Sequence, residues 1–145
     1  LKDGELEGAV RKILSVVEVG TTQAEEEASM VIHLRSAKNA KNKYVEQAIR
    51  FIEAHYREDI NISTVAADLE ISEEYLSRVF KKETDYTFTN YLTLYRMKVA
   101  TKLLSDCRVK VYEVADQVGY SDTAYFSAQF KKFLGVSPSE YQDRN

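Results

Sequence analysis

The sequence predicts an all-α fold built from two similar helical units, and three observations carry that prediction. Apolar residues recur at intervals of three and four, the spacing that puts them on one side of a helix. One proline (Pro138) and five glycines are all that would interrupt helices across 145 residues, and no stretch alternates apolar and polar residues as a half-buried strand does. Two segments about fifty residues apart also repeat one another, and a repeat of that kind outranks any single motif as a guide to architecture.

Taken in chain order, Leu6, Ala9, Val10, Ile13, Leu14 and Val17 share one helical face, and Gly20 ends that run. Thr22-Gln23-Ala24-Glu25 has the form of a capping box, opening a second helix with Ala28, Val31, Ile32 and Arg35. Ser36 to Lys43 reads as a polar, Lys/Asn-rich linker, so residues 1–43 are expected to form a helical interdomain segment and 44–145 a domain. Val45, Ala48, Ile49, Ile52 and Tyr56 then define the next helix, with His55 an ordinary member of it.

The repeat follows. From Val65 the chain reads V-A-A-D-L-E-I-S, E-E, Y-L-S-R-V-F-K-K; from Val114 it reads V-A-D-Q-V-G-Y-S, D-T-A, Y-F-S-A-Q-F-K-K. Tyr75, Ser77, Phe80, Lys81 and Lys82 match Tyr125, Ser127, Phe130, Lys131 and Lys132 at an offset of 50, while Ala66, Leu69 and Ser72 match Ala115, Val118 and Ser121 at 49. Thr87 to Tyr91 likewise parallels Ser137 to Tyr141. Each copy predicts a short helix with a small residue (Ala66, Ala115) at a close approach, a tight turn, and a second helix. Gly119 suits the left-handed residue that ends a helix; in the first copy Glu70 stands at that turn. Ser72, and Ser121 or Asp122, can cap the second helices, and an acidic first turn in the first copy complements the helix dipole. Leu76, Val79, Phe80, Phe126 and Phe130 are expected to point inward. Glu74, Ser77, Arg78 and Lys81 face outward in the first copy, and Thr123, Ala124, Ser127, Ala128 and Lys131 in the second. These are two helix-turn-helix units, at about 63–84 and 112–134.

Between them, Phe88 to Leu104 is an amphipathic run free of Gly and Pro, with Thr87 placed to cap it, Ser105-Asp106 past its end, and Val99, Leu103, Leu104 and Ala100 on one face. At 1.5 Å per residue it forms a connector helix about 26 Å long. Successive major-groove faces of B-DNA lie about 34 Å apart, so a stiff connector plus the width of two packed units can serve neighbouring grooves better than a flexible tether.

Several function classes fall away on composition. No run approaches the roughly 18 apolar residues a membrane-spanning helix needs, and no secretory pattern opens the chain, whose first residue is not Met, as in an excised piece of a longer protein; a reducing, cytoplasmic setting is expected. One cysteine (Cys107) and two histidines (His33, His55) supply neither a disulfide framework nor a zinc ligand set, so no metal and no cofactor is expected. No nucleophile–base pair, carboxylate dyad or phosphate-cradling loop is present, which argues against an enzyme.

Those residues together resemble the AraC/XylS family of transcription regulators, over about residues 44–142. The stretch from Arg96 to Leu104 resembles the family's connector helix. The stretch from Val114 to Tyr141, with Ala115, Gly119, Tyr120, Tyr125, Phe126, Phe130, Lys131, Gly135 and Pro138, resembles its most recognisable part. The resemblance implies a seven-helix, two-lobed domain whose recognition helices enter the major groove on one side of bent DNA. It implies Glu74, Ser77 and Arg78 as the first base-facing set and Thr123, Ala124, Ser127 and Ala128 as the second, with Lys81, Lys82, Lys131 and Lys132 either toward phosphate or simply solvated. Arg78 is the strongest candidate, because Arg can donate two hydrogen bonds to guanine O6 and N7. Ala128 departs from the Arg or other long polar residue frequent at its place, and Gln142 from the Arg common after Tyr141. Double-stranded DNA and RNA polymerase are the implied partners. The opening LKDGELEGAVRKIL also resembles the last helix of a phosphoacceptor receiver, which suggests a response-regulator parent and a homodimer formed through the N-terminal region or a sensor or receiver domain outside this sequence.

Net charge is −3, against the basic balance usual for nucleic-acid binders, but charge is segregated. Residues 44–74 carry two Arg against eight acidic residues, whereas Tyr75 to Lys82 carries three basic and no acidic residues, and Arg96 to Lys110 five basic residues against Asp106. One basic face on an otherwise acidic molecule predicts modest affinity with steep salt dependence. A purely protein-binding helical module is the rival reading, separable by titration against duplex DNA at low salt.

Overall fold

The computed structural model describes residues 34–144. The two N-terminal helices, the Thr22 capping box and the receiver-like opening expected from the sequence lie outside the described residues. Within them the chain forms a short 3-10 turn (Ala37–Asn39) and seven α-helices, with no strand: α1 (Lys43–His55), α2 (Ile62–Leu69), α3 (Glu73–Thr84), α4 (Phe88–Leu104), α5 (Val111–Gln117), α6 (Thr123–Leu134) and α7 (Pro138–Arg144). They group into two compact units. One is Leu34–Arg96 and the other takes the chain from Met97 onward, so the single helix α4 supplies residues to both.

In the first unit, Asn42 caps α1, its Oδ1 accepting from the Tyr44 and Val45 amides at 2.8 and 3.2 Å. Val45, Ala48, Ile49 and Ile52 are fully buried along one stripe, as the periodicity required. Asn61 caps α2 through the Thr64 amide at 3.0 Å. Helix α2 ends in a Schellman turn: the Ile71 amide donates to Ala66 O at 3.0 Å and the Glu70 amide to Ala67 O at 3.1 Å, with Glu70 left-handed at φ 61°. Leu76 and Phe80 of α3 are fully buried, whereas Val79, expected inside, is only half-buried. Phe80 meets Phe88 and Tyr91 of α4 at centroid distances of 5.6 and 5.3 Å. Full burial of such a ring contributes roughly 1.5–3 kcal/mol.

The second unit repeats this construction. Helix α5 also ends in a Schellman turn, with the Tyr120 amide on Ala115 O at 2.9 Å, the Gly119 amide on Asp116 O at 3.1 Å, and Gly119 at φ 101°. Phe130 meets Tyr141 of α7 edge-to-face at 5.7 Å, as Phe80 meets Tyr91 fifty residues earlier. Helix α7 opens on a full capping box: Ser137 Oγ accepts from the Glu140 amide at 3.1 Å and Glu140 Oε1 from the Ser137 amide at 2.8 Å. That pair of bonds draws the Glu140 carboxyl below its ordinary pKa. Gln142, the departure noted in the sequence, donates Nε2 to Asp106 O and Val109 O at 3.1 and 2.9 Å and pins the loop between α4 and α5.

Helix α4 is not the single amphipathic stripe its sequence suggests. Phe88, Tyr91 and Leu92 are buried in its first half, Met97, Ala100 and Leu104 in its second. At 100° per residue these two sets lie roughly half a turn apart around the axis. The burial changes face because the helix belongs to two cores in succession.

Candidate nucleic-acid interface

Helices α3 and α6 are each set up in the same way. Ser72 Oγ accepts from the Tyr75 amide at 3.0 Å, and Asp122 Oδ1 from the Tyr125 amide at 3.1 Å, so Asp122 is the cap of α6 and not Ser121. At the other end Asp85 and Gly135, both left-handed, return their amides to Lys81 O and Lys131 O at 2.8 Å. Each second helix is thus fixed at both ends, and Ala66 and Ala115, at 2% and 1% exposure, let the preceding helix approach.

The inward positions fix the outward ones. With Leu76 and Phe80 buried in α3, Glu74, Ser77, Arg78, Lys81 and Lys82 are all exposed. Glu74, Ser77, Arg78 and Lys81 follow the i, i+3, i+4, i+7 spacing of one face. In α6, Phe126 and Phe130 are fully buried, Ala124, Ala128, Lys131 and Lys132 are exposed, and Ser127 is half-exposed. Thr123 is half-buried and helps line a cleft of about 420 Å³ together with Tyr112, Glu113, Asp116, Gln117, Tyr120 and Ser121, so it stands at the edge of the outward face. The expected residues therefore divide into one outward row on α3 and one on α6, the second with Thr123 and Ser127 only partly exposed. Arg78 sits centrally in the first row, and among the described residues its guanidinium takes no hydrogen bond or ion pair.

Two features of the site escaped the sequence reading. The Arg78 guanidinium lies over the Tyr75 ring, 5.3 Å from its centroid, a contact whose only signal in the sequence is an aromatic–Arg pair at i, i+3. Tyr125, the counterpart of Tyr75, is 56% exposed on α6, and Tyr112 of α5 is 62% exposed. Tyr75 itself is only half-buried.

The remaining chemistry is sparse. Cys107 is an exposed thiol in the loop after α4. Arg108 grips Asp106 through two bonds of 3.0 Å and holds that carboxyl down to a pKa of about 2. Among the described residues no group of His, Cys, Asp and Glu is arranged to hold a metal ion, and no helix is long and apolar enough to cross a membrane.

Residues 65–144, more than half of the chain, match a family described as a Helix-turn-helix domain. The transcriptional regulatory protein HptR of Staphylococcus aureus is 39% identical over 98 residues, covering 68% of this chain and 38% of that protein. The Msm operon regulatory protein of Streptococcus mutans is 31% identical over 76% of this chain, so the chain spans about 40% of the length of the curated relatives it matches. Among solved structures, the C-terminal domain of AraT, a response regulator from Geobacillus stearothermophilus, superposes with a TM-score of 0.68 at 37% identity, covering 72% of this chain and 87% of that one. The chain belongs to the AraC-type helix-turn-helix family, a family of DNA-binding transcription regulators and not of enzymes.

Proposed function

We propose that this chain is the output end of a response regulator, and that it reads a promoter by placing α3 and α6 in successive major grooves. The observation that carries this reading is the duplicated, doubly capped helix pair whose second member presents an exposed polar row in each copy. Arg78 supplies bidentate recognition of a guanine, Glu74 and Ser77 flank it, and Lys81 and Lys82 meet phosphate. Thr123, Ala124, Ser127 and Ala128 form the second reading row, with Lys131 and Lys132 toward phosphate. Helix α4 runs uninterrupted over 17 residues and contributes core residues to both units. The response-regulator assignment rests on the likeness to AraT, described as such a protein. With it come residues 1–43 as the connector from a receiver, RNA polymerase as the partner at the promoter, and a homodimer formed through the N-terminal region or the receiver.

The test is a titration against a duplex selected from a random pool and against an unrelated duplex, across a salt series. Four lysine–phosphate contacts predict a slope of log K against log salt of about −3 to −4. A preference for the selected duplex of about a thousandfold or more is the specific case. Equal, weak binding to both duplexes at every salt concentration would defeat the proposal.

A further inference from the structure

The strongest feature the function has not absorbed is the way the segment before α1 is fastened to α3. Tyr75, in the first turn of α3, receives the Tyr44 ring edge-on at 6.1 Å and 84°, and its hydroxyl accepts from Asn42 Nδ2 at 3.5 Å. Asn42 is itself immobilised as the cap of α1. At the last turn of α3, the Glu83 carboxylate accepts from the Lys41 amide and, at 3.1 Å, from the Asn42 amide. Arg35 Nε donates to Glu83 O at 3.1 Å, and the Tyr91 hydroxyl donates to Arg35 O at 2.5 Å. Leu34 and Ala37 are buried. Arg35, Lys41 and Asn42 thus fasten the segment before α1 to α3 at Tyr75 and Glu83.

We propose that Tyr75 is a positioning residue for Arg78, held in place by the strap of residues 35 to 44, and that base discrimination by the first unit depends on it. The proposal rests on the reading of Arg78 as a base-facing side chain. A free Arg loses rotamer freedom when it docks on a base edge, and that loss subtracts from discrimination. A guanidinium already resting on a fixed ring has part of that ordering done before DNA arrives. The second copy keeps the ring without its partners: fifty residues on, Tyr125 is 56% exposed, Ala128 replaces Arg78, and Phe133, in the place of Glu83, is buried.

The experiment uses the 145-residue chain and the selected duplex, competed against its single-base-pair variants. Arg78→Ala identifies the base pair that Arg78 reads. Tyr75→Leu keeps apolar bulk but removes the ring face, and should lower discrimination at that same base pair by about three- to tenfold. Tyr75→Phe keeps the face and should retain discrimination to within about twofold. In an Arg78→Ala background Tyr75→Leu should change no preference further, since the two substitutions remove one interaction. Thermal melts of each variant establish that α3 is still folded. If Arg78→Ala flattens one base pair while Tyr75→Leu leaves it sharp, or weakens all duplexes alike, the positioning role is overturned and the reading of Arg78 stands. If Arg78→Ala flattens none, both fall.

Discussion

Glu70 ends α2 with φ 61° and ψ 40°, a left-handed conformation that its counterpart in the second unit assigns to Gly119. A non-glycine residue there costs roughly 1–2 kcal/mol through the clash of Cβ with the following carbonyl. Glycine would remove that clash but would give the unfolded chain more freedom, offsetting roughly 0.5–1 kcal/mol. The Glu70 side chain is exposed, so its removal forfeits little packing. Glu70→Gly should therefore stabilise the first unit by about 0.5–1 kcal/mol, raising its melting temperature by about 2–8 °C for a unit of this size. The reciprocal Gly119→Ala, at φ 101°, should destabilise the second unit by about 1 kcal/mol or more. Paired thermal and urea melts, read by circular dichroism, measure both. A Glu70→Gly variant less stable than the parent would refute the reasoning and would mean that the Glu70 side chain contributes more than its backbone costs.

Three further outcomes follow from the same geometry. Arg78→Ala should weaken binding to the selected duplex by about 1–3 kcal/mol and relax preference at one base pair, as measured by equilibrium competition. Ala66→Leu forces a large side chain where α2 is enclosed at 2% exposure, and should cost about 1–3 kcal/mol in a urea melt, whereas the same change at exposed Ala67 should be nearly neutral. The Asp106 carboxyl should titrate near pH 2 by carbon-detected NMR, its charged form favoured by Arg108, and Arg108→Ala should return it to the ordinary range near 3.9. Because its folded pKa is depressed, whatever stability that pair adds is present above about pH 4 and is lost as pH falls toward 2.

The parts of the fold legible in the sequence are those set by local rules. Ser72 and Asn90-preceding Thr87 are caps because a hydroxyl one turn ahead of a free amide has one good partner. The stripe Val45, Ala48, Ile49, Ile52 had to be buried, and so had Phe80, Phe126 and Phe130, which left the exposed rows of α3 and α6 as the remainder. Contacts between segments far apart in sequence were not legible. Nothing local indicates that Arg35 and Lys41 reach Glu83, 48 and 42 residues away, and so fasten the segment before α1 to α3. The half-burial of Val79 and the change of face along α4 are likewise tertiary effects: periodicity reports that residues are apolar, not which core each will join. Asp122 prevailed over Ser121 as the cap of α6 because the second copy holds one more residue between its Schellman turn and its second helix, the step at which the offset between the copies passes from 49 to 50.

The asymmetry between Arg78 and Ala128 is the point on which the account stands or falls. An alanine methyl can touch a thymine methyl but cannot hydrogen-bond a base edge, so the second unit should contribute affinity, through Lys131, Lys132 and the amides at the start of α6, more than discrimination. Selection of bound sites from a random duplex pool, sequenced in depth, measures this directly. It should return one sharp half-site containing a guanine and, about one helical turn away, a degenerate half whose choice follows DNA shape. Repeating the selection with Ala128→Arg should sharpen the weak half, toward guanine. Equal information in both halves of the sites bound by the parent chain, or a sharp half that survives Arg78→Ala, would contradict the account.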